Sequence, residues 1–299
     1  MALPYLHYDV FTGQPFAGNQ LAVFLDAADL SDAQMQAIAR EMHFSESTFV
    51  FPPETPDTDV RMRIFTPGME LPMAGHPTVG TTFALAETGF LRPGRPRLTY
   101  GLGVGPTPVD LEWSGSRLRF AWMTQRPPVF FPALPNRADA AAAIGLTEGD
   151  LAPDLPIRQV SCGVPFLLVP LRDRTAVDRA TPQADRLVQL TARGQGEHAV
   201  FLFACPRDGE ETAYSRMFGA GLGITEDPAT GSASGPLGCY LVEHGLVAPE
   251  EAGRILSLQG VVMGRPSRIH IAIEGRPGAI SGVKIGGEAV LVARGELVV

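Results

Sequence analysis

Two stretches of the sequence place reactive side chains among small residues. The first is Ala74-Gly75-His76-Pro77-Thr78-Val79-Gly80. The second is Asp227-Pro228-Ala229-Thr230-Gly231-Ser232-Ala233-Ser234-Gly235. Each leads into an apolar segment with almost no charge, Pro77 to Glu87 and Ala233 to Glu243, which reads as a helix buried all round. A helix start offers backbone N–H groups that the helix leaves unused, together with positive potential. Small residues let a ligand reach them, and such a terminus suits a carboxylate or phosphate. Two of them facing each other would grip a small acid from both sides. Gly75, Thr78, Gly231 and Ser232 are therefore the candidate binding residues. The competing reading is tight helix packing, for which small residues are equally suited.

A group that moves a proton is also needed. Glu46 lies in Phe44-Ser45-Glu46-Ser47-Thr48-Phe49, just before a strand. Desolvation by Phe44 and Phe49 would disfavour its charged form and tune it for general acid/base work. The alternative is a glutamate at an exposed strand edge. His76 and Asp227 are further acid/base candidates. Against them stand a hydrogen-bonded structural histidine and an Asp-Pro turn opener, and Ser232 could equally be a plain N-cap.

The elements that must position these residues read as mixed α and β. Tyr8 to Phe11 and Leu21 to Leu25 are expected strands. Ser31 to Met42 is an expected helix, with Ser31 and Gln34 forming a capping box and Met35, Ile38 and Met42 an apolar stripe. Thr48 to Phe51 and Val60 to Phe65 follow as strands. Gly89 and Gly245 are expected to close the two buried helices. Two glycine clusters, Gly101 to Gly105 and Gly219 to Gly223, imitate dinucleotide loops, but neither opens a helix.

The chain also repeats itself. Phe49-Val50-Phe51 matches Phe201-Leu202-Phe203, Pro15-Phe16 matches Pro165-Phe166, Phe65 matches Phe218, and Leu85 to Gly89 matches Leu241 to Gly245. The matches keep one order, with an offset that drifts slowly around roughly 155 residues. Two similar lobes follow: residues 1–124, to which 285–299 can be added, and 125–284. The proline-rich Gln125 to Pro135 is the expected linker.

Composition narrows the function. The formal charge is −8 and no Lys/Arg cluster exists, which argues against nucleic acid as a partner. The apolar run Val164 to Leu171 is too short to cross a bilayer, so no membrane association is expected, and no signal peptide is visible at the N-terminus. Cys162, Cys205 and Cys239 form no close pair in sequence, which suggests a reducing cytoplasm with neither a disulfide framework nor a metal site.

Several blocks form a set: Phe11-Thr12 with Pro15-Phe16 and Gly18-Asn19, Ser45 to Phe49, Arg63 to Pro67, and Glu70-Leu71-Pro72 with Ala74 to Pro77. Glu226 to Ser232, and Gln259-Gly260 with Met263 to Ser267, complete it. Together they resemble the PhzF family of phenazine-biosynthesis-like isomerases. Gln20 departs from the pattern, since many members carry proline there. The resemblance implies an α+β, diaminopimelate-epimerase-like fold of two pseudo-symmetric lobes, each a curved sheet around a central helix, with the site in the cleft between them. It implies a proton-shuttling glutamate at Glu46, with His76, Asp227 and Ser232 lining the site. It also implies a homodimer that needs no metal or organic cofactor and acts on a small carboxylic acid. Two rivals stay open: an amino-acid epimerase or racemase on the same fold, and a non-catalytic small-acid-binding protein.

Overall fold

The computed structural model describes residues 2–191, 199–219 and 224–299. The chain divides into two compact units, Met1–Thr124 with Ile285–Val299, and Gln125–Lys284.

The first unit runs β1 (Ala2–Val10), β2 (Asn19–Phe24), α1 (Asp32–Met42), β3 (Glu46–Phe51), β4 (Val60–Phe65), β5 (Glu70–Leu71), α2 (Gly75–Glu87), β6 (Arg97–Leu102), β7 (Gly105–Ser114) and β8 (Arg117–Gln125). The second runs β9 (Val129–Ala133), α3 (Arg137–Ala143), β10 (Arg158–Ser161), β11 (Pro165–Pro170), α4 (Arg174–Arg179), α5 (Ala184–Thr191), β12 (Val200–Ala204) and β13 (Ala213–Gly219). It continues through β14 (Ile224–Asp227), α6 (Gly231–Glu243), β15 (Ile255–Gln259), β16 (Ser267–Arg276) and β17 (Ala279–Gly287). The chain then returns to the first unit as β18 (Ala289–Val298), antiparallel to β1.

The internal repeat is visible in the ladders. In the first unit β1–β2 is antiparallel, β2–β3 parallel, β3–β4 antiparallel, β4–β6 parallel and β6–β7 antiparallel. In the second unit β10–β11, β11–β12, β12–β13, β13–β15 and β15–β16 follow the same senses in the same order. Each parallel step needs a helical crossover, which the helices between those strands provide. Phe65 faces Ser47 and Phe218 faces Val200, and Phe49 and Leu202 both lie in the core away from the central helix, so the match of the two phenylalanines keeps register and face. Counting from them sets Phe49 level with Leu202, so the sequence match of Phe49 with Phe201 is one residue out. Strands buried on both faces read as continuous apolar runs, which carry little register information.

Helix α2 packs against β1, β2, β3 and β18, and α6 against β10, β11 and β16, each within its own unit. Residues 75–85 of α2 are all buried. Its threonine hydroxyls therefore need partners, and they have them. Thr78 donates to the Ala74 carbonyl (2.8 Å), Thr82 to the Thr78 carbonyl (2.7 Å), and Thr81 meets Thr48 Oγ1 (2.9 Å). Gly80 lets the helix lie flat, because a Cβ there would sit 2.6 Å from both Val10 and Leu21.

The other face of β2 and β3 carries α1. Phe24 stacks on Phe49 at 5.0 Å, Phe65 meets Phe49 edge-on, and Met35, Ile38 and Ala39 of α1 close that core. The Ser31–Gln34 capping box is formed as expected. In the second unit α3, α4 and α5 cover the outer face of β11 and β12 in the same way.

One expectation and one competing reading fail here. Gln125 to Pro135 is not a linker, for it carries β9, which pairs with β10. Pro127 and Pro128 precede the strand and Pro135 follows it, while Pro132 lies within it where the register with β10 shifts, and a missing N–H is tolerated at such an irregularity. Ser232 is not an N-cap; it is the second residue of α6, and Thr230 holds the cap position. Gly101 to Gly105 forms the β6–β7 hairpin, while most of the Gly219 to Gly223 cluster lies outside the described residues. Among the described residues no helix is long and apolar enough to cross a membrane.

Candidate active site

Glu46 opens β3, and the strand's period of two decides its surroundings. Thr48 reaches Thr81 of α2, so Glu46 shares the α2 face, while Phe49 belongs to the core under α1. Phe44 also packs against that core and meets the His7 ring at a tilt, with centroids 4.7 Å apart. The two phenylalanines expected to desolvate Glu46 therefore lie on the other side. Burial against the α2 face replaces them: Glu46 is 8% exposed.

His76 is the second residue of α2 and 2% exposed. Its Nε2 lies 3.4 Å from Glu46 Oε2, and its Nδ1 lies 3.1 Å from Asn19 Nδ2. A lone pair on Nε2 would face a carboxylate oxygen, so the favoured neutral ring carries its proton there and accepts from Asn19 at Nδ1. Burial pushes the imidazole down to about 3, against a smaller opposing effect of a backbone hydrogen bond at Gln20. The ring is thus neutral near neutral pH, so it can orient Glu46 but holds no extra proton to pass to it. Asn19 had a place in a sequence block but no assigned role. It is held by the turn before β2, where Gly18 has φ 67°.

The same burial sets a pH dependence. The unfolded chain takes up a proton near the ordinary value of 6.5, whereas folded His76 refuses it until about 3. Stability from this group is full above the unfolded value and falls as pH drops toward 3, by up to about 1.4 kcal/mol per pH unit. His76→Gln is expected to flatten that part of the stability curve. Urea unfolding of both proteins at about pH 7 and about pH 5 measures it; parallel losses in the two would contradict the assignment.

In the second unit Asp227 ends β14 and is 3% exposed. Thr230 donates its hydroxyl to Asp227 Oδ2 at 2.6 Å. An N-cap threonine ordinarily bonds the first-turn amides. Here that hydroxyl is diverted to Asp227, and α6 starts with no side-chain cap; α2 likewise has none at Ala74. Both helix starts therefore keep first-turn donors for another acceptor. Gly231 is buried, with its carbonyl held by Gln125 Nε2 at 3.0 Å, and Ser232 is half-buried. Gly75 begins α2, whereas the Thr78 hydroxyl proton is committed to Ala74. The fold thus gathers Glu46, His76, Gly75 and Thr78 in the first unit, and Asp227, Gly231 and Ser232 in the second. Sequence reasoning missed Asn19, Thr230 and Gln259 as partners, although all three stand in the quoted blocks.

The fold also makes a cysteine pair that the sequence does not announce. Cys162, just after β10, has its Sγ 3.8 Å from that of Cys239 in α6. Both are buried free thiols, and Cys162 is pushed up by the contact with Cys239 and by burial. Neither opens a central helix; Cys239 lies about 12 Å along α6 from its start. Replacing Cys162, Cys205 and Cys239 together by alanine or serine is expected to leave turnover within about threefold once folding is confirmed, since Cys162 and Cys239 are buried packing groups and Cys205 is exposed just after β12. A loss of several orders of magnitude would favour thiol chemistry.

Residues 8–295 match the family model described as phenazine biosynthesis-like protein. The chain is 37% identical to trans-2,3-dihydro-3-hydroxyanthranilate isomerase of Pseudomonas aeruginosa, over 97% of this chain and 98% of that protein. The crystal structure of a PhzF-family phenazine biosynthesis protein from Bacillus anthracis superposes with TM-score 0.88 at 29% identity, covering 100% of both chains. A hydroxyproline epimerase from Agrobacterium vitis shares the fold at TM-score 0.69 and 14% identity, over 99% of this chain and 92% of that one. The chain belongs to the phenazine biosynthesis-like, or PhzF, family. It is an isomerase with the family's α+β architecture.

Proposed function

We propose that this isomerase shifts a proton between carbons of a small carboxylic acid, with Glu46 as the group that carries it. The observation behind this reading is the buried contact between the Glu46 carboxylate and His76 at the uncapped start of α2. Glu46 takes a proton from a carbon whose electrons can spread into a neighbouring unsaturated or carboxylate group. The protonated carboxyl then returns that proton to another carbon of the same system. Nothing is oxidised or reduced, and no cofactor enters the step. His76 orients the carboxylate, Asp227 assists in positioning or proton transfer, and the amides from Gly75 and from Gly231–Ser232 hold the acid group.

The P. aeruginosa relative's name supports this substrate class, since trans-2,3-dihydro-3-hydroxyanthranilate is itself a ring carboxylic acid. A homodimer acting in the cytoplasm is part of the same reading, on the family resemblance. The test is a crystal structure of the Glu46→Gln protein soaked with that compound. The carboxylate is expected at the start of α2 around Gly75 or at the start of α6 around Gly231 and Ser232. An acid group turned to bulk solvent would overturn the reading.

A further inference from the structure

The Gln259-Gly260 block plays no part in the reaction as drawn above, yet it closes on the turn that carries Asp227. Gln259 ends β15 and is fully buried. Its Oε1 accepts the Thr230 N–H at 2.9 Å, while its Nε2 donates to the Asp227 carbonyl at 2.8 Å and to Thr230 Oγ1 at 3.0 Å. A backbone donor on one side and a backbone acceptor on the other fix which end of the amide is which. Because Thr230 Oγ1 accepts from Gln259, its own proton points to Asp227 Oδ2, and that bond is the short one. The three groups form one directed chain, amide to hydroxyl to carboxylate, in a site where Thr230 is 5% and Asp227 3% exposed. Hydrogen bonds linked head to tail in such a setting reinforce one another.

A second feature holds the same turn. Gly260 has φ 77°, and a Cβ there would lie 2.5 Å from the Pro228 carbonyl oxygen. Backbone thus rests on backbone directly behind Asp227.

We propose that Gln259, acting through Thr230, is the positioning residue that aims the Asp227 carboxylate. The inference rests on the reading that Asp227 belongs to the acid/base machinery. Thr230→Val removes the hydroxyl while keeping the shape, and it deletes no helix cap because Thr230 makes none. The nearby Arg216–Glu226 ion pair on β13 and β14 is untouched by this change.

The experiment is carbon-13 NMR of the full-length protein with labelled aspartate, the Asp227 carboxyl being assigned by its loss in Asp227→Asn. Loss of a donor to the charged form raises the pH midpoint of that resonance. In Thr230→Val and Gln259→Met the midpoint is expected to rise by about one pH unit, a tenfold gain in proton affinity. Thr230→Ser is expected to restore the wild-type midpoint. An unmoved midpoint in Thr230→Val would overturn the proposal, as would an equal displacement in Thr230→Ser. If Gln259→Met fails to fold, the Thr230 pair still decides. The reading of Asp227 is judged separately, on turnover of trans-2,3-dihydro-3-hydroxyanthranilate by Asp227→Asn. Wild-type turnover there would remove the reading and this inference together, whereas an unmoved resonance beside an inactive Asp227→Asn would remove the inference alone.

Discussion

Glu46→Gln is expected to lower turnover by roughly 10²–10⁴-fold, the range that a general acid/base group contributes. The amide keeps the shape of the side chain at the start of β3 and loses the oxygen that accepts the proton. It also replaces a charge buried at 8% exposure, so stability should hold or rise slightly. His76 Nε2 keeps an oxygen to face in one orientation of the new amide. The loss should fall on kcat with KM little changed, because the group acts on the transition state. Thermal unfolding beside steady-state rates separates the two effects. Turnover within about twofold of wild type would remove Glu46 from the mechanism.

Gly260→Ala is expected to be the most damaging single methyl addition near the Asp227 turn. A Cβ there would stand 2.4 Å from the Arg265 carbonyl oxygen and 2.5 Å from that of Pro228, and both are backbone atoms. A flexible side chain could swing aside, but these oxygens move only with the chain. The Gly260 carbonyl also accepts the N–H groups of Met263 and Arg265, so the turn cannot relax without losing bonds. The left-handed φ of 77° adds its own strain for any residue with a Cβ. Together these should cost roughly 2–4 kcal/mol, as steric and backbone faults at buried positions do. Urea unfolding measures that loss. By contrast Gly89→Ala carries the φ strain alone, since nothing lies within 4 Å of its Cβ, and should cost about 1 kcal/mol. Equal losses at the two positions would show that close approach to Pro228 is not the cause.

The features legible in the sequence were those set by neighbours along the chain. The charge-free runs before Gly89 and Gly245 marked α2 and α6, because a helix without a polar face has nowhere to lie but inside. The Ser31–Gln34 box marked the start of α1 through bonds made within one turn. The repeat marked two similar units, yet it lost the register of β3 against β12, where one apolar residue is as good as the next. What stayed hidden was pairing across long separations. His76 meets Asn19 fifty-seven positions away, and Cys162 meets Cys239 seventy-seven away. Gln259 reaches Thr230 across twenty-nine. No local pattern encodes such contacts. Glu46 is buried as its sequence context suggests, but by the α2 face and not by Phe49, which belongs to the opposite face of its strand.

The most direct test of the account is hydrogen exchange at carbon in deuterated water. Wild type, Glu46→Gln and the triple cysteine variant are each incubated with trans-2,3-dihydro-3-hydroxyanthranilate, and product and deuterium content are followed by proton NMR. The account predicts isomerised product from wild type and from the triple cysteine variant at similar rates, with product and exchange both lost in Glu46→Gln. Product or exchange at the wild-type rate in Glu46→Gln would contradict it.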